Sequence, residues 1–100
     1  MSYIARFPNP AIEKDFWKEL YKLPSKAQEN ILQTIRDLQK NPRPFGHKPF
    51  KQLSPPVYVY DYAAQYRFRV GDYRIIYDID DGNKTVWILS LRKRNEKTYN

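Results

Sequence analysis

Apolar residues in the first forty positions recur at helical spacing, whereas beyond residue 57 they alternate at strand spacing. Ile12, Phe16, Leu20 and Leu23 fall on one helical stripe, with Trp17 beside it. Asn9 is the expected N-cap of this helix and Pro10 its first residue, and Leu23-Pro24 ends it. A second helix opens with Ser25 as N-cap, and Gln28 completes a capping-box pattern. Ala27, Ile31, Ile35 and Leu38 line its apolar face until Asn41-Pro42 stops it. So short a connection predicts an antiparallel helical hairpin. Residues 3–7 predict a short strand. Residues 41–56, NPRPFGHKPFKQLSPP, predict an irregular loop pinned by Phe45, Phe50 and Leu53, and residues 57–62 an irregular strand.

The stretch YRFRVGDYRIIY, residues 66–77, predicts two strands joined at Gly71-Asp72, because glycine accepts positive φ in a tight turn. Alternation puts Tyr66, Phe68, Val70, Tyr73, Ile75 and Tyr77 on one face and Arg67, Arg69 and Arg74 on the other. A two-residue hairpin sets Arg69 directly across from Arg74, and like charges so placed are destabilising. A phosphate held between them would relieve the repulsion. The last strand spans about residues 85–92, after a turn at Asp81-Gly82-Asn83. A two-residue turn aligns Val86, Ile88, Ser90 and Arg92 with the core. A three-residue turn aligns Trp87, Leu89 and Leu91 instead, and Ser90 and Arg92 join the arginine face. A one-residue slip exchanges the faces, so the register that keeps Arg92 out of the core is expected. The order β-α-α-β-β-β predicts an α+β fold: a small antiparallel sheet with an N-terminal strand and an α-helical hairpin packed on one face.

Composition narrows the partner. One hundred residues suit a single domain over 1–100 with a modest core, which nine tyrosines help to fill. A formal charge of +7 favours a polyanion such as RNA, DNA or a ribonucleoprotein. No helix pairs a broad apolar face with a lysine-rich one, so no membrane partner is expected. The apolar runs are too short for a membrane span, and the N-terminus lacks a signal-peptide layout. Absence of cysteine excludes disulfides and thiolate sites and fits a reducing cytoplasm.

The basic residues converge on one kind of chemistry. Arg92 and Arg94 extend the face of Arg74, and Tyr99 stands where it can fold back towards the same patch. Several guanidinium groups and a phenol suit gripping a phosphodiester and stabilising a pentacovalent transition state. Arginine is a poor proton acceptor at neutral pH, and no histidine or carboxylate pair is placed as a base. His47, the one histidine, reads as a surface residue. Lys48, Lys51, Arg92 and Lys93 are the further phosphate contacts, with solvated lysines as the alternative for the first two. Asp78 and Asp80 share a face with Arg74 and balance its charge, too few for a magnesium site; no metal or cofactor is expected. Tyr58, Tyr60 and Tyr62 offer rings for base stacking, but packing is the stronger expectation.

The element order, YRFRVGDYRIIYDID, LYKLP, DLQKNP and the ending LRKRNEKTY together resemble the RelE/ParE superfamily of bacterial toxins from type II toxin–antitoxin systems. The resemblance covers most of the chain and is most specific in GDYRIIY with the basic strand end and tyrosine. It implies a small α+β toxin neutralised by a cognate antitoxin that wraps around it. The RelE branch, the favoured one, cleaves messenger RNA in the ribosomal decoding site through attack of a 2′-hydroxyl on the adjacent phosphate. By this resemblance Arg67 and Arg69 stand at basic positions often held by lysine, and Arg74 stabilises the phosphate. Arg94, or less well Arg92, protonates the leaving oxygen, and Tyr99 orients the nucleotide. Arginine in place of lysine puts the general base in doubt and shifts the weight to positioning and charge stabilisation. The chain stops just after Tyr99, so no further C-terminal helix is expected. The ParE branch implies a different target, DNA gyrase, reached by protein contact. A non-catalytic RNA-binding module is the third alternative.

Overall fold

Asn9 and Pro10 start the first helix as their chemistry dictates. The Asn9 side chain accepts a hydrogen bond from the Ile12 amide at 2.9 Å, and Pro10 fills the first turn without a wasted donor. A computed structural model describes residues 2–94. In it β1 (Ile4–Arg6) precedes α1 (Pro10–Tyr21) and α2 (Ser25–Lys40), and β2 (Phe50–Val59), β3 (Tyr62–Val70), β4 (Tyr73–Asp80) and β5 (Thr85–Lys93) follow. Ser25 is not the cap of α2. The cap position falls on Pro24 without a side-chain bond, and Gln28 instead reaches back to the Leu23 carbonyl at 2.8 Å. The proline sets an extended entry, so the chain turns into the helix before a serine hydroxyl is needed.

The strands form one sheet in the order β1-β5-β4-β3-β2, antiparallel throughout except for the parallel β1–β5 pair. Both helices pack on it, completing the expected α+β architecture. Phe16, Leu20, Leu23, Ile31 and Leu38 from the helices bury against Tyr66, Ile75, Tyr77, Val86, Ile88 and Leu91. Ile75, Ile76 and Tyr77 are all fully buried although successive strand residues point to opposite faces. Beside the helix-facing core there is therefore a second apolar cluster. Ile76 and Leu89 meet Val57, Val59 and Ala64 from the far end of the β2–β3 hairpin, together with Ile12 of α1. No helix among the described residues is long and apolar enough to cross a membrane.

Two departures from the sequence pattern shape the site. The strand before the arginine hairpin begins at Phe50 rather than Val57, so the irregular loop ends at residue 49. Within that strand the pairs Gln52–Tyr66 and Val57–Ala64 leave Leu53, Ser54, Pro55 and Pro56 opposite Gln65 alone. Proline has no amide to donate to a ladder, and here two of them sit in a wide bulge on an edge strand. The second departure is in β5. The connection after Asp80 contains four residues, since Asp80 pairs with Thr85, and Lys84 rather than a glycine takes the left-handed conformation at φ 52°. Val86 and Ile88 face the helices. A bulge at Leu89 then advances the strand by one residue, so that Leu91 faces the helices while Ser90 and Arg92 point away. Both registers read from the sequence are realised, one on each side of the bulge.

Candidate functional site

Gly71 adopts φ 58° in the β3–β4 turn, and the hairpin closes in the register its two-residue loop requires. Arg69 pairs with Arg74, and Arg74 pairs in turn with Arg92. Three guanidinium-bearing residues thus lie in one row across three adjacent strands. The next row is Lys51, Arg67, Ile76 and Ser90. Directly opposed residues in antiparallel strands stand about 4.5–5.5 Å apart at Cα, so the positive charge is dense. Each strand brings it by plain alternation from apolar neighbours held in the core.

Lys51, Arg67 and Arg74 line one open groove of about 590 Å³, whose remaining walls come from the bulged strand: Gln52, Leu53, Ser54, Pro55, Pro56, Val57 and Tyr58. The Arg67 guanidinium donates through Nη1 to the Pro49 carbonyl at 2.8 Å, which ties its tip to the loop before β2. Arg74 donates to the Arg94 carbonyl, while the Arg94 amide donates to the Asp72 carbonyl at 2.6 Å. The strand end bearing Arg94 is thereby tied to the hairpin turn and to Arg74. Arg92 donates to Ser90 Oγ at 3.0 Å and borders a separate hollow of about 300 Å³ with Asp15, Lys18 and Glu19 of α1. Acidic groups beside Arg92 offset part of the charge at that end of the row.

Other expected contacts fall elsewhere. Lys93 pairs with Tyr73 and so belongs to the opposite face from Arg92, a consequence of strand alternation. Lys48 is exposed on the loop and, unlike Lys51, does not border the groove. His47 is likewise an exposed loop residue. Tyr99 lies outside the described residues. Asp80 does not balance Arg74; it accepts from the amide and side chain of Asn83 at 3.1 and 2.8 Å and shapes the turn, which holds its carboxyl below the usual range. Asp78 is separated from Arg74 along the strand by buried Ile76, and burial raises its carboxyl above the usual value. Among the described residues no cluster of His, Asp and Glu gathers to hold a metal ion.

Packing is not the role of Tyr58, contrary to expectation. Its ring is 68% exposed at the groove, whereas its strand neighbours Val57 and Val59 are buried. Tyr60 is also exposed and donates to Asp15 at 2.9 Å, latching the β2–β3 turn onto α1. The signal for Tyr58 was present in VYVYDY, where valine and tyrosine alternate and so take opposite faces.

The loop carrying Lys48 is bolted down by Arg43. Its guanidinium grips Asp81 through two bonds of 3.0 Å, donates to Tyr66 Oη at 3.0 Å, and lies 5.3 Å from the Tyr66 ring centroid. Tyr3 adds a 2.6 Å bond to the same carboxylate. Arg43 first, and then Tyr3, hold the Asp81 carboxyl down at about 2. Buried Tyr77 donates to the Pro42 carbonyl at 2.7 Å, and burial pushes its hydroxyl well above the ordinary range.

A helical pair packed on a five-stranded sheet is an architecture shared with toxin–antitoxin structures. A chain of the archaeal RelE–RelB complex from Pyrococcus horikoshii aligns with 96% of this chain and 99% of its own length, at 28% identity and a TM-score of 0.72. A chain of the RelBE2 toxin–antitoxin complex from Mycobacterium tuberculosis aligns with 94% of this chain and all of its own, at 28% identity and a TM-score of 0.62. The intact RelBE complex of Escherichia coli contains the same fold at 19% identity and a TM-score of 0.58. No characterised protein matches the chain by sequence alone. The model of the ParE toxin family of type II toxin–antitoxin systems, parDE, matches residues 10–98. The chain belongs to this family, and is a type II toxin of the RelE/ParE superfamily.

Proposed function

We propose that this toxin is a metal-independent endoribonuclease that cleaves messenger RNA on the ribosome and so stops translation. The observation that carries the reading is the Arg69–Arg74–Arg92 row, flanked by Lys51 and Arg67 along an open groove. A chain gains no stability from aligning like charges across strands, whereas a phosphodiester passing through a transition state with added negative charge gains from each of them. In the proposed reaction the ribose 2′-hydroxyl gives up its proton to water as its oxygen bonds to phosphorus, the bond to the 5′-oxygen breaks, and that oxygen takes up a proton in return, so that none is consumed overall. Arg74 clamps the phosphoryl oxygens. Arg67 and Arg69 hold the attacking side, Arg94 serves the leaving oxygen, and Tyr99 orients the nucleotide. Lys51 from within the groove and Arg92 at the end of the row guide the strand in, while Lys48 and Lys93, which do not face it, have no part in this path. Because arginines stay protonated, positioning and charge stabilisation carry the rate.

The similar complexes pair a RelE chain with a RelB antitoxin. By analogy an acidic antitoxin neutralises this toxin in the cytoplasm. The ParE family match favours one other reading, contact inhibition of DNA gyrase. A cell-free translation reaction with primer extension separates the two. The ribonuclease gives new 5′ ends inside translated regions, which vanish when the scissile nucleotide lacks its 2′-hydroxyl. Intact messages together with loss of gyrase supercoiling would overturn it.

A further inference from the structure

Tyr58 differs from the other tyrosines whose contacts are defined. Tyr3, Tyr60, Tyr66 and Tyr77 each hold a hydrogen bond, and Tyr21 stacks on Trp17. The Tyr58 ring projects from the hairpin on the side away from buried Val57 and Val59, and its cross-strand partner is the small Ala63. That pairing leaves the ring face uncovered, since no bulky side chain stands opposite. The same ring borders the groove that also contains Lys51, Arg67 and Arg74. Leu53, Pro55 and Pro56 of the wide bulge supply an apolar floor next to it.

An aromatic face beside an apolar floor, a step away from converging cations, matches one nucleotide of a single strand: a flat base next to a charged phosphate. We infer that Tyr58 is a stacking platform for an unpaired RNA base adjacent to the phosphate gripped by Arg67 and Arg74. This subsite rests on the ribonuclease reading above and adds to it a residue that positions the substrate strand. The hydrophobic contact is with the π-face, which all four bases possess, so the subsite orders the strand without selecting its sequence. Edge-on recognition would need polar groups aimed at the base. Gln52 and Ser54 are the uncharged polar residues on the groove wall.

The test is single-turnover cleavage of a short message positioned on the ribosome, with either a normal or an abasic nucleotide beside the scissile bond. Loss of one base–aromatic stack corresponds to on the order of 10- to 100-fold weaker capture. Tyr58→Ala is expected to lower cleavage by that factor on the normal message and to leave cleavage of the abasic message at the wild-type rate. Tyr58→Trp restores the rate and Tyr58→Leu does not, which separates stacking from bulk. Thermal melts of all three variants should match wild type, because the ring is exposed. Wild-type cleavage with an unaltered Tyr58→Ala rate would overturn the subsite and leave the ribonuclease reading intact. No cleavage by the wild-type protein would overturn both.

Discussion

Arg74→Ala should separate activity from stability. Arg74 stands between Arg69 and Arg92 in the cross-strand row, so its removal relieves two repulsions. At a charge separation of about 7 Å and an effective dielectric of roughly 50–80, each repulsion is about 0.6–1 kcal/mol. Screening at physiological ionic strength, with a Debye length of about 8 Å, cuts this to somewhat less than half. The relief from both neighbours is then about 0.5–0.8 kcal/mol. Against it stands the lost bond to the Arg94 carbonyl, a contact of about 0.5–1.5 kcal/mol. The two nearly cancel, and the melting temperature should move by no more than about 5 °C. The transition state loses a phosphate contact typically worth about 2.7–4 kcal/mol, or roughly 100- to 1,000-fold in rate. Arg74→Lys keeps the charge but not the two-pronged geometry and should recover only part of the loss. Single-turnover cleavage on programmed ribosomes, run beside thermal melts, gives both numbers. A well-folded Arg74→Ala protein that cleaves at the wild-type rate would refute the placement of the phosphate on this row.

Charge reversal at the neighbouring position should trade activity for stability. Arg69→Glu converts a repelling cross-strand pair into an attracting one and should raise stability by about 0.2–1 kcal/mol in chemical denaturation, while growth arrest on expression disappears. Tyr77→Phe deprives the Pro42 carbonyl of its buried donor and should cost about 1–2 kcal/mol in the same assay. Asp81→Asn should behave according to pH. The native carboxyl titrates near 2, below its unfolded value, so its contribution is complete above about pH 4 and is lost as pH falls towards 2. The stability gap between wild type and Asp81→Asn, followed by denaturation from pH 7 to pH 2, should therefore narrow only in that acid window. A gap that stayed constant down to pH 2 would contradict the Arg43–Asp81 bond.

What could be read from the sequence was whatever local chemistry decides. Asn9-Pro10 fixes a helix start through one side-chain bond, and Gly71-Asp72 sets the register that brings Arg69 across from Arg74. The beginning of β2 was hidden because its prolines signal a break in any strand. Here the break is a bulge within one, held by pairing on both sides. Trp87, Ile88 and Leu89 are three apolar residues in succession, a run that fits either face. Their arrangement depends on two separate clusters that form only in the folded sheet. Lys93 could have been excluded from the site by parity with Arg92. Tyr58 could have been placed at the surface by its alternation with buried valines.

The bulge at Leu89 has a consequence for how such a toxin can change over time. Upstream of it, β5 is scaffolding, whose inward residues answer to the helices. Downstream, the same strand carries Arg92, which points away from the helices, and leads to Arg94; in the proposed reaction both answer to the substrate. Substitutions can therefore retune the basic end without disturbing Val86 or Ile88. Length has some slack as well. Deleting Leu89 would close the bulge into a regular ladder, in which Leu91 still stands opposite Ile75 and Arg92 opposite Arg74, at the cost of the Leu89 contacts in the second apolar cluster. The bulge is thus a reserve of one residue: the strand can shorten there and keep its basic end on the same face, whereas the same loss in a strand without a bulge would exchange the faces.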